Sequence, residues 1–246
     1  MAKPYFDLQQ GSIDWYNLRI GVPTASEFDK ILTPGTEKIS EQRHAYAIRI
    51  IAGRILHWQP DSLDKIQHIQ DGKANEHVAV VQLELLKDIE TTPVGFITTD
   101  DGRFGASPDR LVMRGDRIDM TVEVKAPTIP VQLERLLLGH GKAYRCQVQG
   151  QLWVAEADKA IFGSYQERMP FYMSETGRDE PFIRKLSAAM EQFSDELEVL
   201  MERAISFGAY QAFEMLKTPL DAERGDFKEA LDEFLDGPNN RTDWGG

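Results

Sequence analysis

The sequence predicts a fold of the α/β (α+β) class, helices flanking a small mixed sheet. Three observations lead there. Short apolar runs bounded by Gly, Pro and Asp crowd the stretches 94–125 and 160–173, as strands do. The segments on either side repeat apolar residues at helical spacing. At 246 residues, 41% of them hydrophobic and 28% charged, the chain has the composition of a soluble globular protein with one large core.

The elements follow in order. Ser12 is placed to cap a short helix through Ile20, and Thr24 a second through Leu32, with Gly21 and Pro23 as the break. Ser40 to His57 is the first long helical pattern, and a short helical stretch follows Pro60. Gly72 to Glu90 is helical, with Val78, Val81, Leu85 and Ile89 as its apolar stripe. Strands run from about Val94 to Ile118 to Lys125, where Leu111, Val112, Met113 and Ile118 to Val124 read as a buried hairpin. A helix around Val131 to Leu138, a turn at Gly139 to Gly141 and a helix from Ala143 to Ala155 lead to strands near Ala160 to Gln166 and Met169 to Met173. Pro181 to Leu216 is helical and packs outside, with Met190, Phe193, Leu197 and Leu200 at core or subunit-contact spacing. Trp58 and Met169 read as packing residues. There is no internal repeat or long linker, so residues 1–217 form one domain, and 218–246 are an acidic tail of a composition that resists packing.

One cysteine, Cys146, excludes a disulfide framework within the chain and any four-cysteine metal site; it reads as an inert core residue. No secretory signal opens the sequence and no long uncharged run could span a bilayer, so a cytoplasmic setting is expected. The net charge of −12 is unusual for a protein that handles a polyanion. Residues 175–246 hold 17 acidic against 8 basic side chains, nine of the twelve excess charges, so the first 174 residues can still form a local basic channel.

The densest chemistry lies in Ser107-Pro-Asp109-Arg and Thr121-Val-Glu123-Val-Lys125. Strand alternation puts Glu123 and Lys125 on one face and Val122 and Val124 on the other. Two carboxylates and an amine suit phosphodiester hydrolysis, in which acids hold magnesium and the amine assists the attacking water. A charged pair inside an apolar hairpin needs such a reason. Glu76, in Gly72-Lys-Ala-Asn-Glu76, is either an exposed helix glutamate or a carboxylate facing the metals, and His77 reads as a surface histidine. Trp15 and Arg19 share a helix face, and Arg19 with Ser26 would make an anion pocket; core packing explains Trp15 and Thr24 equally well, but not Arg19. Gln147 and Gln151 share a face of the Tyr144–Trp153 helix and turn amides toward something polar. No Walker loop, dinucleotide fingerprint or serine nucleophile elbow points to a small-molecule enzyme.

From about Ser12 to Met169 the chain resembles the phage lambda exonuclease family of viral recombinases, nucleases of the PD-(D/E)xK superfamily. The likeness is carried by Trp15-Tyr-Asn-Leu-Arg19-Ile-Gly-Val-Pro-Thr-Ala-Ser26, Gly72-Lys-Ala-Asn-Glu76, Ala106-Ser-Pro-Asp109, Val122-Glu-Val-Lys125 and Tyr144-Arg-Cys-Gln147-Val-Gln149 in that order. The resemblance implies a restriction-endonuclease-like core and a magnesium-dependent exonuclease that loads on double-stranded DNA ends, digests one strand 5′ to 3′ and leaves a 3′ overhang. It implies two Mg2+ ions, replaceable by Mn2+, held by Asp109, Glu123 and the main-chain carbonyl of Val124. Lys125 would orient or activate water, Glu76 and Gln147 complete the catalytic set, and Arg19 and Ser26 hold the 5′-phosphate. It further implies a homotrimeric ring, a single-strand annealing protein as partner, and a phage or prophage protein in a bacterial host. Two departures stand out: the interval from Lys125 to Gln147 is shorter, leaving Gln149 or Gln151 as alternatives, and Arg110 follows Asp109 where glycine is common. The alternatives are an endonuclease of the same superfamily and a non-catalytic recombination adaptor.

Overall fold

The computed structural model describes the backbone of residues 1–56 and 66–209, and the side chains of 1–55 and 75–209. Two compact units divide the chain, Met1–Met201 and Glu202–Gly246, the second described only through 209. Trp58, the stretch after Pro60, the helical pattern beyond 209 and the acidic tail lie outside the described residues.

Among the described residues seven strands form two sheets. The smaller is antiparallel, β1 (Lys3–Tyr5), β2 (Phe96–Thr98) and β3 (Gly105–Ala106), in that order. The larger is mixed and runs β4 (Arg110–Arg114), β5 (Arg117–Lys125), β6 (Lys159–Ser164) and β7 (Tyr172–Gly177). β4 and β5 are the expected hairpin, turning at Gly115 with its positive φ of 62°. β5 and β6 are parallel, which demands a crossover, and α4 (Ile129–Leu138) and α5 (Arg145–Val154) supply it. The single small sheet expected from the sequence is therefore two, and β1 was not foreseen.

At the start of the chain, Ser12 accepts from the Trp15 amide at 3.2 Å and caps α1 (Ile13–Arg19). The second short helix is instead a 3-10 turn, Ala25–Lys30. It is packed by α5 at Gly150, where an added Cβ would stand 2.6 Å from the Phe28 ring, too near to accept one. α2 (Arg43–Leu56) and α6 (Glu180–Ser206) meet where Tyr46 and Phe193 stack at 5.5 Å. α6 buries Met190, Phe193 and Leu197, the stripe read from the sequence.

α3 (Ile66–Lys87) covers one face of the larger sheet, but not with the expected stripe. Ala79, Val80 and Leu83 enter the core with Val122, Val124 and Ile161, whereas Val78, Val81 and Leu85 are exposed, Leu85 at 77%. The helix is rotated so that Leu83 reaches β6, where a Cβ on Gly163 would stand 3.4 Å from it. α4 is also inverted. Gln132 and Arg135 are buried, while Leu133, Leu137 and Leu138 face out. Gln132 donates to the carbonyls of Ser164 and Pro170, and Arg135 to the Ser164 hydroxyl, so buried polar groups tie the helix to the end of β6. Gly139, at φ 78°, ends it. Among the described residues no helix is long and apolar enough to cross a membrane.

Candidate active site

The β4–β5 hairpin builds the site. Asp109 stands one residue before β4, and its amide donates to the Val122 carbonyl at 2.9 Å. Its carboxylate Oδ2 accepts from the Val124 amide at 2.6 Å, so strand pairing alone brings Asp109 beside Glu123 and Lys125. As alternation predicts, Val122 and Val124 enter the aliphatic core against α3 while Glu123 turns to the α5 face.

Glu123 is almost fully buried, and three donors hold it. Gln147 Nε2 donates to Oε1 at 2.6 Å, Lys125 Nζ donates to the same oxygen, and Gln151 Nε2 donates to Oε2 at 2.5 Å. The two glutamines lie one helical turn apart on α5, so the expected Gln147 and one of its two alternatives, Gln151, both face the site. Gln149 does not: it donates to the Gly177 carbonyl at 3.0 Å. Gln151 Oε1 is buried without a hydrogen-bond partner. Behind Lys125 stands the Tyr144 ring, 6.0 Å from the ammonium, and Arg135 donates to the Tyr144 hydroxyl at 2.6 Å. Arg135 and Tyr144 thus support the site, and only Tyr144 fell within a motif singled out in the sequence.

Burial pushes the Asp109 carboxyl well above the usual carboxylate range, Glu123 pushes it further and Glu76 adds to it; Lys125 and the Val124 amide pull the other way. Burial works against charge on Lys125, yet Glu123, Asp109 and Glu76 outweigh it, and the ammonium is held above the ordinary lysine value. Glu76 is therefore in the field of the site, and it lines with Asp109 and Val124 a cleft of about 440 Å3. His77 is exposed, as expected.

A divalent cation fits these donors. Crowded carboxylates that raise one another's proton affinity lose that repulsion when a dication is shared between them. Among the described residues no three His, Cys, Asp or Glu side chains form a closed cage. A magnesium ion keeps several waters and takes one or two carboxylates, a demand that Asp109 and Glu123 would meet. Asp109 would hold it directly; Glu123 must first exchange Gln147 or Lys125 for the metal.

The residues of the second predicted cluster each have other partners. Arg19 lies over the Trp15 ring at 4.2 Å and donates to the Ser107 hydroxyl at 2.6 Å. Burial lowers its pKa, while Tyr46, Glu27, Tyr16 and Glu123 favour its charge, which places it within the electrostatic reach of Glu123. No carboxylate among the described residues forms an ion pair with it. Ser26 is exposed on the 3-10 turn, 3.3 Å from the Thr24 hydroxyl, and the Thr24 amide donates to the buried Tyr46 hydroxyl. Ser107 was present in the sequence motif but was not singled out; proximity to Arg19 across 88 residues is what reveals it.

Residues 14–158 match the YqaJ-like viral recombinase domain. The fold is similar to that of an alkaline exonuclease from Laribacter hongkongensis, with a TM-score of 0.70 and 26% identity over 80% of this chain and 98% of that one. The same relative in complex with dAMP gives a TM-score of 0.69 and 25% identity over the same shares of the two chains. A phage related exonuclease from Haemophilus somnus shares the fold at a TM-score of 0.54 and 15% identity, over 76% of this chain and 99% of that one. No curated protein sequence matches the chain.

Proposed function

Because the chain belongs to the YqaJ-like viral recombinase domain family, we propose that it is a DNA exonuclease, metal-dependent and acting on double-stranded ends in the 5′ to 3′ direction to leave a 3′ overhang. The observation that carries the reading is the convergence of Asp109, Glu123 and Lys125 on one hairpin, with both oxygens of Glu123 held by α5. The names of the structural relatives, alkaline exonuclease and phage related exonuclease, point the same way.

Magnesium or manganese ions held by Asp109, Glu123 and the Val124 carbonyl would neutralise charge on the phosphate and acidify water. The protein does the rest. Lys125, kept protonated by its carboxylate neighbours, acts as a donor that aligns water or a phosphate oxygen rather than as an acceptor of the proton. Gln147 and Gln151 fix the rotamer of Glu123, and Asp109 is fixed by the Val124 amide. Arg19, a half-buried cation whose Ser107 bond leaves other donors of its guanidinium fork available, would take the 5′-phosphate with Ser26 and so set polarity. On this reading the working enzyme is a homotrimeric ring in the cytoplasm of a bacterial host and passes its overhang to a single-strand annealing protein.

Linear DNA labelled separately at each 5′ and 3′ end, incubated with and without magnesium beside a closed circle, tests the proposal. Magnesium-dependent early loss of the 5′ labels, with 3′ labels kept on long strands and the circle intact, is expected. Nicking of the circle would move the reading to an endonuclease, and no cleavage of either DNA would favour an adaptor.

A further inference from the structure

Asp109 borders two differently furnished spaces. On one, Glu123 meets the amides of α5; on the other, Asp109, Glu76 and Val124 open onto the 440 Å3 cleft between α3 and the segment after β1. That volume is ordinary for a ligand cleft. Its remaining walls include exposed Phe6 and Gln9 and half-buried Arg110, the only lysine or arginine among the described lining residues.

Arg110 differs from its peers. Arg43, Arg49, Arg54, Arg103, Arg145 and Arg178 are likewise half-buried, and each donates to a carboxylate or a carbonyl. The Arg110 side chain makes no hydrogen bond or ion pair with any described residue, although Asp7, Glu76 and Asp109 line the same cleft. Its backbone is fixed as the first residue of β4, in register with Val122, which tethers the guanidinium to the strand next to Asp109. Arginine carries a planar fork matched to phosphate and keeps its charge throughout the working pH range. A polyanion drawn toward three carboxylates needs such a cation next to them.

We propose that this cleft is a DNA-backbone subsite, separate from the Arg19 and Ser26 pocket, in which Arg110 binds a phosphate of the substrate neighbouring the scissile one. Phe6, 42% exposed at the mouth, offers apolar surface to the adjoining sugar or base. The inference rests on the nuclease reading and deepens it.

The test is a binding titration of a fluorescent, 5′-phosphorylated duplex, with calcium in place of magnesium, at a series of salt concentrations. Wild type, R110Q and R110K are compared. R110Q is expected to bind about tenfold more weakly. Its log affinity should fall with log salt by about 0.9 less per decade, the signature of one lost phosphate contact, while R110K keeps the wild-type slope. Wild-type affinity and slope in R110Q overturn the subsite, as does weaker binding at an unchanged slope, which is lost packing alone. If either is seen with a wild type that digests linear DNA, the nuclease reading stands without the subsite. A wild type that neither binds nor digests overturns both.

Discussion

β5 is buried on both faces, and the two faces do opposite things. Toward α3, Val122 and Val124 pack with Ala79, Val80, Leu83 and Ile161 in a wholly aliphatic contact. Toward α5, Glu123 is just as deep but polar, and Gln147, Gln151 and Lys125 donate to it there. One face is sensitive to volume and the other to donors. A strand built this way anchors a reactive carboxylate with the rigidity of a core, because each functional residue is flanked in sequence by a packed one.

Substitutions on the two faces should therefore separate activity from stability. Lys125→Ala is expected to give the largest effect, a loss of cleavage of about 10²- to 10⁴-fold with DNA-end binding kept; wild-type turnover by that variant would refute the role. On the aliphatic face, Leu83→Ala should lower unfolding free energy by about 2–5 kcal/mol while folded molecules keep their cleavage rate, read by denaturant titration beside a turnover assay. A rate loss as large as that of Lys125→Ala would mean that the faces are not separable. Arg19→Ala should weaken action on 5′-phosphorylated ends by about 1.5–3 kcal/mol and leave ends lacking the phosphate nearly unaffected. Equal loss on both substrates would rule out a phosphate pocket. The smallest effect is expected from Gln151→Ala, which removes the donor to Glu123 Oε2 and should cost about 1–3 kcal/mol of stability, with weaker manganese binding in a metal titration. A variant indistinguishable from wild type in both would show that Gln147 and Lys125 suffice.

The polar face was the more legible of the two in the sequence. Alternation gave Glu123 and Lys125 a shared side, and helical spacing gave Gln147 and Gln151 another, because both depend only on local periodicity. Which of the amides reaches Glu123 depends on how α5 docks, and the answer was two of them. The α3 face was misread for a related reason. Helical spacing alone allows an apolar row at Val78, Val81 and Leu85 or one at Ala79, Val80 and Leu83, and which row meets the sheet depends on how α3 docks. β1 escaped because its three residues pair with Phe96–Thr98 across more than ninety positions, a contact no local pattern announces. The short helix at Thr24 became a 3-10 turn because it is only six residues long and is pressed on by α5. The inversion of α4 has a similar origin: Gln132 and Arg135 find partners on β6 that are remote in sequence.

Cys146 carries a consequence of a different kind. It is the only thiol in the chain, on the helix that holds Gln147 and Gln151, and it is buried with its Sγ donating to the Leu32 carbonyl at 3.1 Å. Burial, reinforced by Asp29, pushes the thiol up to about 12, so thiolate is scarce at neutral pH and alkylating reagents are excluded while α5 is seated. Its labelling rate is thus a single-site clock, counting how often the helix that grips Glu123 lifts away from the 3-10 turn.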